Sequence, residues 1–208
     1  RLGNKTAASS SAAAVFGGQA VVVSHDAPVL VGDTGYLDLQ KNGWCGMHAL
    51  NNLKGGDYVS EGACRAAARV CVNQLGGAVP FEELLHPRTG WLSIDVINVI
   101  GKAQLHIHVE ENRLSPDAFA DIALESDAAF LLNWNQKHWT VLQSWPPGSA
   151  PTHWRHTNSI CLGAGRVGLR FGRRECSHEE VASILEDSSD SAGGVSLHRV
   201  TRALAGGE

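Results

Sequence analysis

Cys45 stands where a run of helix-favouring residues begins, in CGMHALNNL. A helix N-terminus presents free amide protons and a partial positive charge, and both stabilise a thiolate. A free cysteine alone reads as a packing residue, since cysteine is among the most buried residue types; what changes the reading is its company. His138 opens an alternating β run directly after the polar turn Asn135-Gln136-Lys137, which sets an imidazole at a sheet edge and suits a general base. Asn158 falls in the next β run. Antiparallel neighbours place an amide oxygen beside an imidazole N–H, fixing its tautomer and ring orientation. Gln40 precedes Cys45 closely enough for its side-chain amide to join the Cys45 backbone N–H in an oxyanion hole. Cys45, His138 and Asn158 together have the composition of a thiol acyl-transfer triad.

The elements that must position these groups follow from periodicity. Met47, Leu50 and Leu53 recur at helical spacing from Cys45 until Gly55-Gly56 stops them. SEGACRAAARVCVNQLGG predicts a second helix with Ser60 as cap and Gly76-Gly77 as stop, and SIDVINVIGKA a third capped by Ser93. LHIHV at 105–109 alternates, SPDAFADIALES reads as a helix with Pro116 in its first turn, and AAFLLNW and HWTVLQSW form a hairpin. HWRHTNSICL follows as a third antiparallel strand, RVGLRF as a fourth, and SHEEVASILED as a closing helix. Helices first and antiparallel strands later define an α+β domain, with the N-terminal helical part packed on the sheet. Leu50, Leu53, Ile94, Val96, Ile97, Leu131 and Val141 are expected in its core.

Composition narrows the function classes. Lys and Arg count 17 against 21 Asp and Glu in 208 residues, a net charge of -4, without the cationic excess that tracks a phosphate backbone. No apolar run reaches the roughly 20 residues that cross a bilayer. The odd set of five cysteines, with no C-x-x-C pair, fits neither a disulfide framework nor a zinc site and points to a reducing, intracellular setting, cytoplasm or nucleus. Cys64 and Cys71 would sit roughly 10 Å apart on one helix, too far to bridge, and read as core. Residues 1–35, built around AASSSAAAVFGGQAVVV, form a low-complexity and flexible tail; with Arg1, Lys5 and no acidic residue before Asp26 the segment shares features of an organelle transit peptide. The catalytic domain is placed at 36–190 and a C-terminal tail at 191–208.

Four blocks in this order, QKNGWCGMHALNNL, GWLSIDVI, NWNQKHWTV and WRHTNS, resemble the Josephin family of deubiquitinating cysteine proteases. The resemblance spans about 40–160. It implies a papain-like fold, hydrolysis of the bond after the C-terminal glycine of ubiquitin, no cofactor or metal, a monomeric enzyme, and ubiquitin or its conjugates as partners. It matches the family's functional residues to Gln40, Cys45, His138 and Asn158. Trp44, Trp91 and Trp139 fall in the first three blocks and are expected to wall a narrow channel for a Gly-Gly tail, although tryptophan is also simply a large core residue. The stretch GGAVPFEELLHPRT is too short for the long helical arm of some members, and PPGSAP lengthens the interval between His138 and Asn158.

Other readings stay open at this level. His48 shares a helix face with Cys45 and rivals His138 as base, but a helix neighbour presents its ring poorly to a sulfur at the helix end. His106 and His108 alternate without partners at ligand spacing. Gly163, Gly165 and Gly168 spell G-x-G-x-x-G where no helix follows, which excludes a dinucleotide site. Arg166, Arg170, Arg173 and Arg174 form a solvated basic face that suits ubiquitin recognition. The leading expectation is a cysteine isopeptidase with a His138–Cys45 imidazolium–thiolate pair; the rivals are a non-catalytic ubiquitin-binding module and a papain-like peptidase or acyltransferase with another substrate.

Overall fold

The computed structural model describes residues 36–40, 43–111, 114, 118–119, 128–147, 151–159, 172–189 and 194–203. Expectations for the tail at 1–35, the glycine motif at 163–168, the strand RVGLRF, Cys161 and most of SPDAFADIALES fall outside them.

Gly43 and Trp44 have left-handed φ values of 89° and 57° and turn the chain abruptly into α1, Cys45–Lys54, which ends on left-handed Gly55. α2 spans Glu61–Gln74, with the Ser60 side chain accepting from the Ala63 amide, and Cys64 and Cys71 are buried on it. The short α3, Phe81–Leu84, leads to a tight loop closed by the bridge Leu85 to Leu92. α4, Ile94–Ile100, is capped by Ser93 and continues as a wide π-helical turn, Gly101–Leu105. The expected strand at 105–109 is therefore only β1, Ile107–Val109, and the Asn98 side chain holds it by bonding both the Val109 N–H and C=O at 2.8 Å.

β2, Ala129–Trp134, and β3, His138–Trp145, form the expected hairpin, with positive φ at Asn135 and Gln136 as primed hairpin turns require. β4, His153–Asn158, pairs with β3, and β5, Gly172–Cys176, pairs with β4. α5, His178–Ser189, opens with a capping box: Ser177 Oγ accepts from the Glu180 amide and Glu180 Oε2 from the Ser177 amide.

β6, Val195–Arg202, corrects the domain reading of 191–208 as a tail. It lies inside the sheet, whose order is β1-β6-β2-β3-β4-β5, antiparallel throughout. Ser196 and His198 are buried there because they satisfy each other at 3.0 Å and His198 Nδ1 donates to the Glu110 carbonyl at 2.9 Å.

The sheet separates two cores. Trp139, Val141 and Leu131 face α1, α2 and α4, packing with Leu50, Leu53 and Ile97, while Leu142, Leu132, Phe130, Trp154 and Cys176 face Val181 and Leu185 of α5. Burying each large aliphatic side chain contributes about 1.5–3 kcal/mol, so the seam between α1 and β3 is firmly held. This seam carries Cys45 on one side and His138 on the other.

Candidate active site

Trp44 supplies no side-chain cap to α1, and the first turn carries no acidic residue. A tryptophan in the left-handed region is strained by roughly 1–3 kcal/mol, which persists only where surroundings enforce it. Here the Trp44 amide donates to the Thr89 carbonyl at 2.9 Å, and the ring packs so closely on Gly90 that a Cβ there would stand 2.5 Å from it. A Cβ on Gly43 would lie 1.9 Å from the Thr89 oxygen. The loop preceding Leu92 thus fixes the chain entering α1, and the first amides of α1 remain free of side-chain caps beside Cys45.

The Cys45 thiol is buried and donates to the Lys137 carbonyl, 3.8 Å away, while the Trp139 amide on the far side of His138 also points at the sulfur. The sulfur therefore lies against the backbone flanking His138. His138 Nε2 and Asn158 Oδ1 are 2.9 Å apart. A carbonyl-type oxygen only accepts, so Nε2 carries the proton and Nδ1 keeps the lone pair that a base requires. Both side chains are buried, which shields this bond from water.

The electrostatics differ from the expected ion pair. Burial pushes the Cys45 thiol above its ordinary value, opposed in part by the amides of Trp139, Gly46 and Cys45 itself. Burial pushes His138 below 6.5, opposed by its bond to Asn158. Both directions favour a neutral thiol beside a neutral imidazole at rest, because neither charge is solvated in a site this enclosed.

Behind His138, on the α5 face of the sheet, the Trp134 indole donates to Thr140 Oγ1 at 2.8 Å, which leaves the Thr140 hydroxyl proton for His156 Nε2 at 3.0 Å. Burial, then the charges of His138 and Arg174, hold His156 down at about 4.

Gln40 lies on a short strap, residues 36–40, that crosses the C-terminal end of β4. Its backbone N–H donates to the Ser159 carbonyl at 2.7 Å, and its Oε1 is buried without a partner among the described residues. His48 is not turned to the sulfur's service: its Nδ1 stands 2.6 Å from Asp38 Oδ2 of the same strap.

The three tryptophans have unequal places. Trp139 is 1% exposed and gives its N–H to the Leu92 carbonyl at 2.9 Å, and Trp44 is 4% exposed between Gly90 and the Arg65 guanidinium. Both pack in the core on the α1 side of the sheet. Trp91 alone is part-exposed, with a buried Nε1 that has no partner among the described residues. Of the basic face, Arg173 bonds the Tyr36 carbonyl and Arg174 pairs with Glu180, so both are engaged internally. Among the described residues no group of three His, Cys, Asp or Glu is placed to hold a metal ion, and no helix is long and apolar enough to cross a membrane.

Sequence reasoning missed Asp38, Asn51 and Asn52. The readable signal was polar His48, Asn51 and Asn52 at i, i+3 and i+4 on a helix whose every residue is buried. No protein-family model matches the chain, and no curated protein matches it.

Proposed function

We propose that the protein is a cysteine isopeptidase of papain-like fold that hydrolyses the bond after the C-terminal glycine of ubiquitin. The observation that carries the chemistry is the 2.9 Å bond from His138 Nε2 to Asn158 Oδ1, with the Cys45 sulfur against the residues on either side of His138. The resemblance of the four sequence blocks carries the choice of substrate.

In this reading His138 Nδ1 takes the Cys45 proton as Sγ attacks the carbonyl carbon. The negative oxygen of the tetrahedral intermediate is met by the Cys45 amide and the Gln40 side-chain amide. His138 then protonates the leaving lysine amine, leaving a thioester on Cys45. Water, activated by the same imidazole, hydrolyses it and restores the thiol.

The test is reaction with ubiquitin carrying a C-terminal electrophile, beside the same probe built on ubiquitin-like proteins. Covalent labelling of Cys45 by the ubiquitin probe supports the proposal. Binding of ubiquitin without labelling indicates a non-catalytic module, and labelling only by other probes indicates a peptidase or acyltransferase with another substrate.

A further inference from the structure

We propose that Asp38 is a positioning residue for Gln40, clamping the strap 36–40 to the nucleophile helix so that the Gln40 amide is held ready beside Cys45. The inference rests on the isopeptidase reading only for what Gln40 does in turnover.

Asp38 is gripped from α1 in two ways. Its backbone is paired with one side chain: the Asp38 N–H donates to Asn52 Oδ1 at 2.7 Å, and Asn52 Nδ2 donates to the Asp38 carbonyl at 3.0 Å. This is the pairing a β-strand neighbour would offer, supplied by an asparagine on a helix. Its carboxylate accepts from Asn51 Nδ2 at 3.1 Å and stands 2.6 Å from His48 Nδ1. Asn51 in turn accepts from the Tyr58 and Val59 amides at 3.1 and 2.8 Å, tying the same point to the loop after α1.

The strap is also tied at its two ends, and Tyr36 bonds the Asp38 side chain. The Arg173 guanidinium bonds the Tyr36 carbonyl, and the Gln40 amide bonds Ser159. Leu39, between the clamp and Gln40, is 41% exposed and contributes little packing. Extended backbone without a strand partner is held by such bonds, so Gln40 is placed by its own bond to Ser159 on one side and by the Asp38 clamp two residues before it on the other. The clamp grips the helix that starts at Cys45, so donor and nucleophile share one rigid frame, the preorganisation an oxyanion hole requires.

The experiment compares Asp38→Ala and Asp38→Asn with Gln40→Ala, reading three quantities: amide hydrogen exchange at Gln40, kcat on a fluorogenic ubiquitin C-terminal amide, and the rate of Cys45 alkylation by iodoacetamide. Asp38→Ala is expected to lower Gln40 protection about tenfold or more while β2 and β3 amides keep theirs. It should lower kcat by roughly 10–100-fold with alkylation within about twofold, and add little to Gln40→Ala in the double variant. Both variants keep the backbone pairing with Asn52, and Asp38→Asn, which still accepts from Asn51, should lose less. Unchanged protection at Gln40 overturns the inference whatever the substrate is. So does full additivity with Gln40→Ala, or an equal slowing of alkylation. Wild-type protein that does not turn over the ubiquitin amide overturns the functional reading instead, while the exchange measurement still decides the clamp.

Discussion

Gln40 donates its backbone N–H to the carbonyl of Ser159 at 2.7 Å, and Ser159 directly follows the residue whose side chain holds His138. One dipeptide at the end of β4 therefore holds the His138 imidazole through a side chain and the strap bearing Gln40 through a backbone oxygen. The two halves of the proposed machinery share an anchor, so displacement of β4's end disturbs both.

Cys45→Ala is expected to abolish labelling by the ubiquitin probe and to keep the fold, shifting thermal unfolding by only a few degrees, on the order of 1 kcal/mol, since one sulfur atom leaves the core. Cys64→Ala and Cys71→Ala should still label; the Cys64 thiol is pushed up to about 12 by burial and then by the Glu61 charge, and offers no nucleophile near neutral pH. Intact-mass spectrometry of the three variants after probe treatment checks this.

His138→Ala should lower kcat/KM by roughly 10²–10⁴, the range of a lost general base. His48→Ala should fall short of that and resemble Asp38→Ala, because its ring faces the strap at 2.6 Å. Steady-state kinetics on both variants decide between them; a larger loss at His48 would move the base to that residue.

Asn158→Ala leaves the imidazole in place but free to turn. A loss of about 10–100-fold is expected, as for other supporting groups behind a functional histidine. Since the two residues act as a unit, Asn158→Ala combined with His138→Ala should be hardly worse than His138→Ala. A double-mutant cycle that proves additive would separate Asn158 from the base.

Activity should hold below the pH at which an ordinary histidine titrates, because burial lowers His138 below 6.5 and a base must be unprotonated to act. Alkylation of Cys45 by iodoacetamide, which needs the thiolate, should keep rising above the ordinary thiol range. Parallel pH profiles of kcat/KM and alkylation rate test the neutral resting pair; a plateau of alkylation near neutral pH would restore the ion pair.

His156 makes stability fall with acid. Its value is about 4 in the fold against 6.5 when unfolded, so between those limits the unfolded chain binds a proton that the folded chain refuses. Stability present above pH 6.5 is therefore lost as pH falls toward 4, by on the order of 3 kcal/mol when complete. Urea midpoints from pH 7.5 to 4.5 should drop steeply in the wild type and less in His156→Gln; the slope that remains includes the part His138 contributes in the same direction.

What the sequence revealed depended on how local the cause was. Ser60 and Ser93 announce their helices because a cap acts within three residues, and Asn135-Gln136 announce the β2–β3 hairpin because a turn is local too. β6 escaped because the alternation of Val195-Ser196-Leu197-His198 breaks at Arg199-Val200, and the Glu110 carbonyl that satisfies buried His198 is distant in sequence. β5 escaped for a related reason: GRREC has one buried residue, Cys176, and owes its pairing to β4 rather than to its own pattern. Cys45 at a helix start was readable, and so was the placing of His138 and Asn158 on neighbouring strands. The clamp on Asp38 and the packing of Trp44 and Trp139 were not, since an inward-facing tryptophan looks the same in a sequence whether it lines a channel or fills a core.

The insertion of β6 between β1 and β2 also dictates an order of assembly. On a ribosome the helices, the β2–β3 hairpin and β4 emerge first and can associate through short-range contacts, but β2 keeps a bare edge and β1 has no neighbour until Val195–Arg202 arrives. The newborn chain is thus a half-sheet with an open hydrogen-bonding edge, the kind of surface that recruits chaperones or other strands. Closure comes as one late, long-range event in which β6 pairs with β1 on one side and β2 on the other, tying the strand that follows the helices to the hairpin bearing His138.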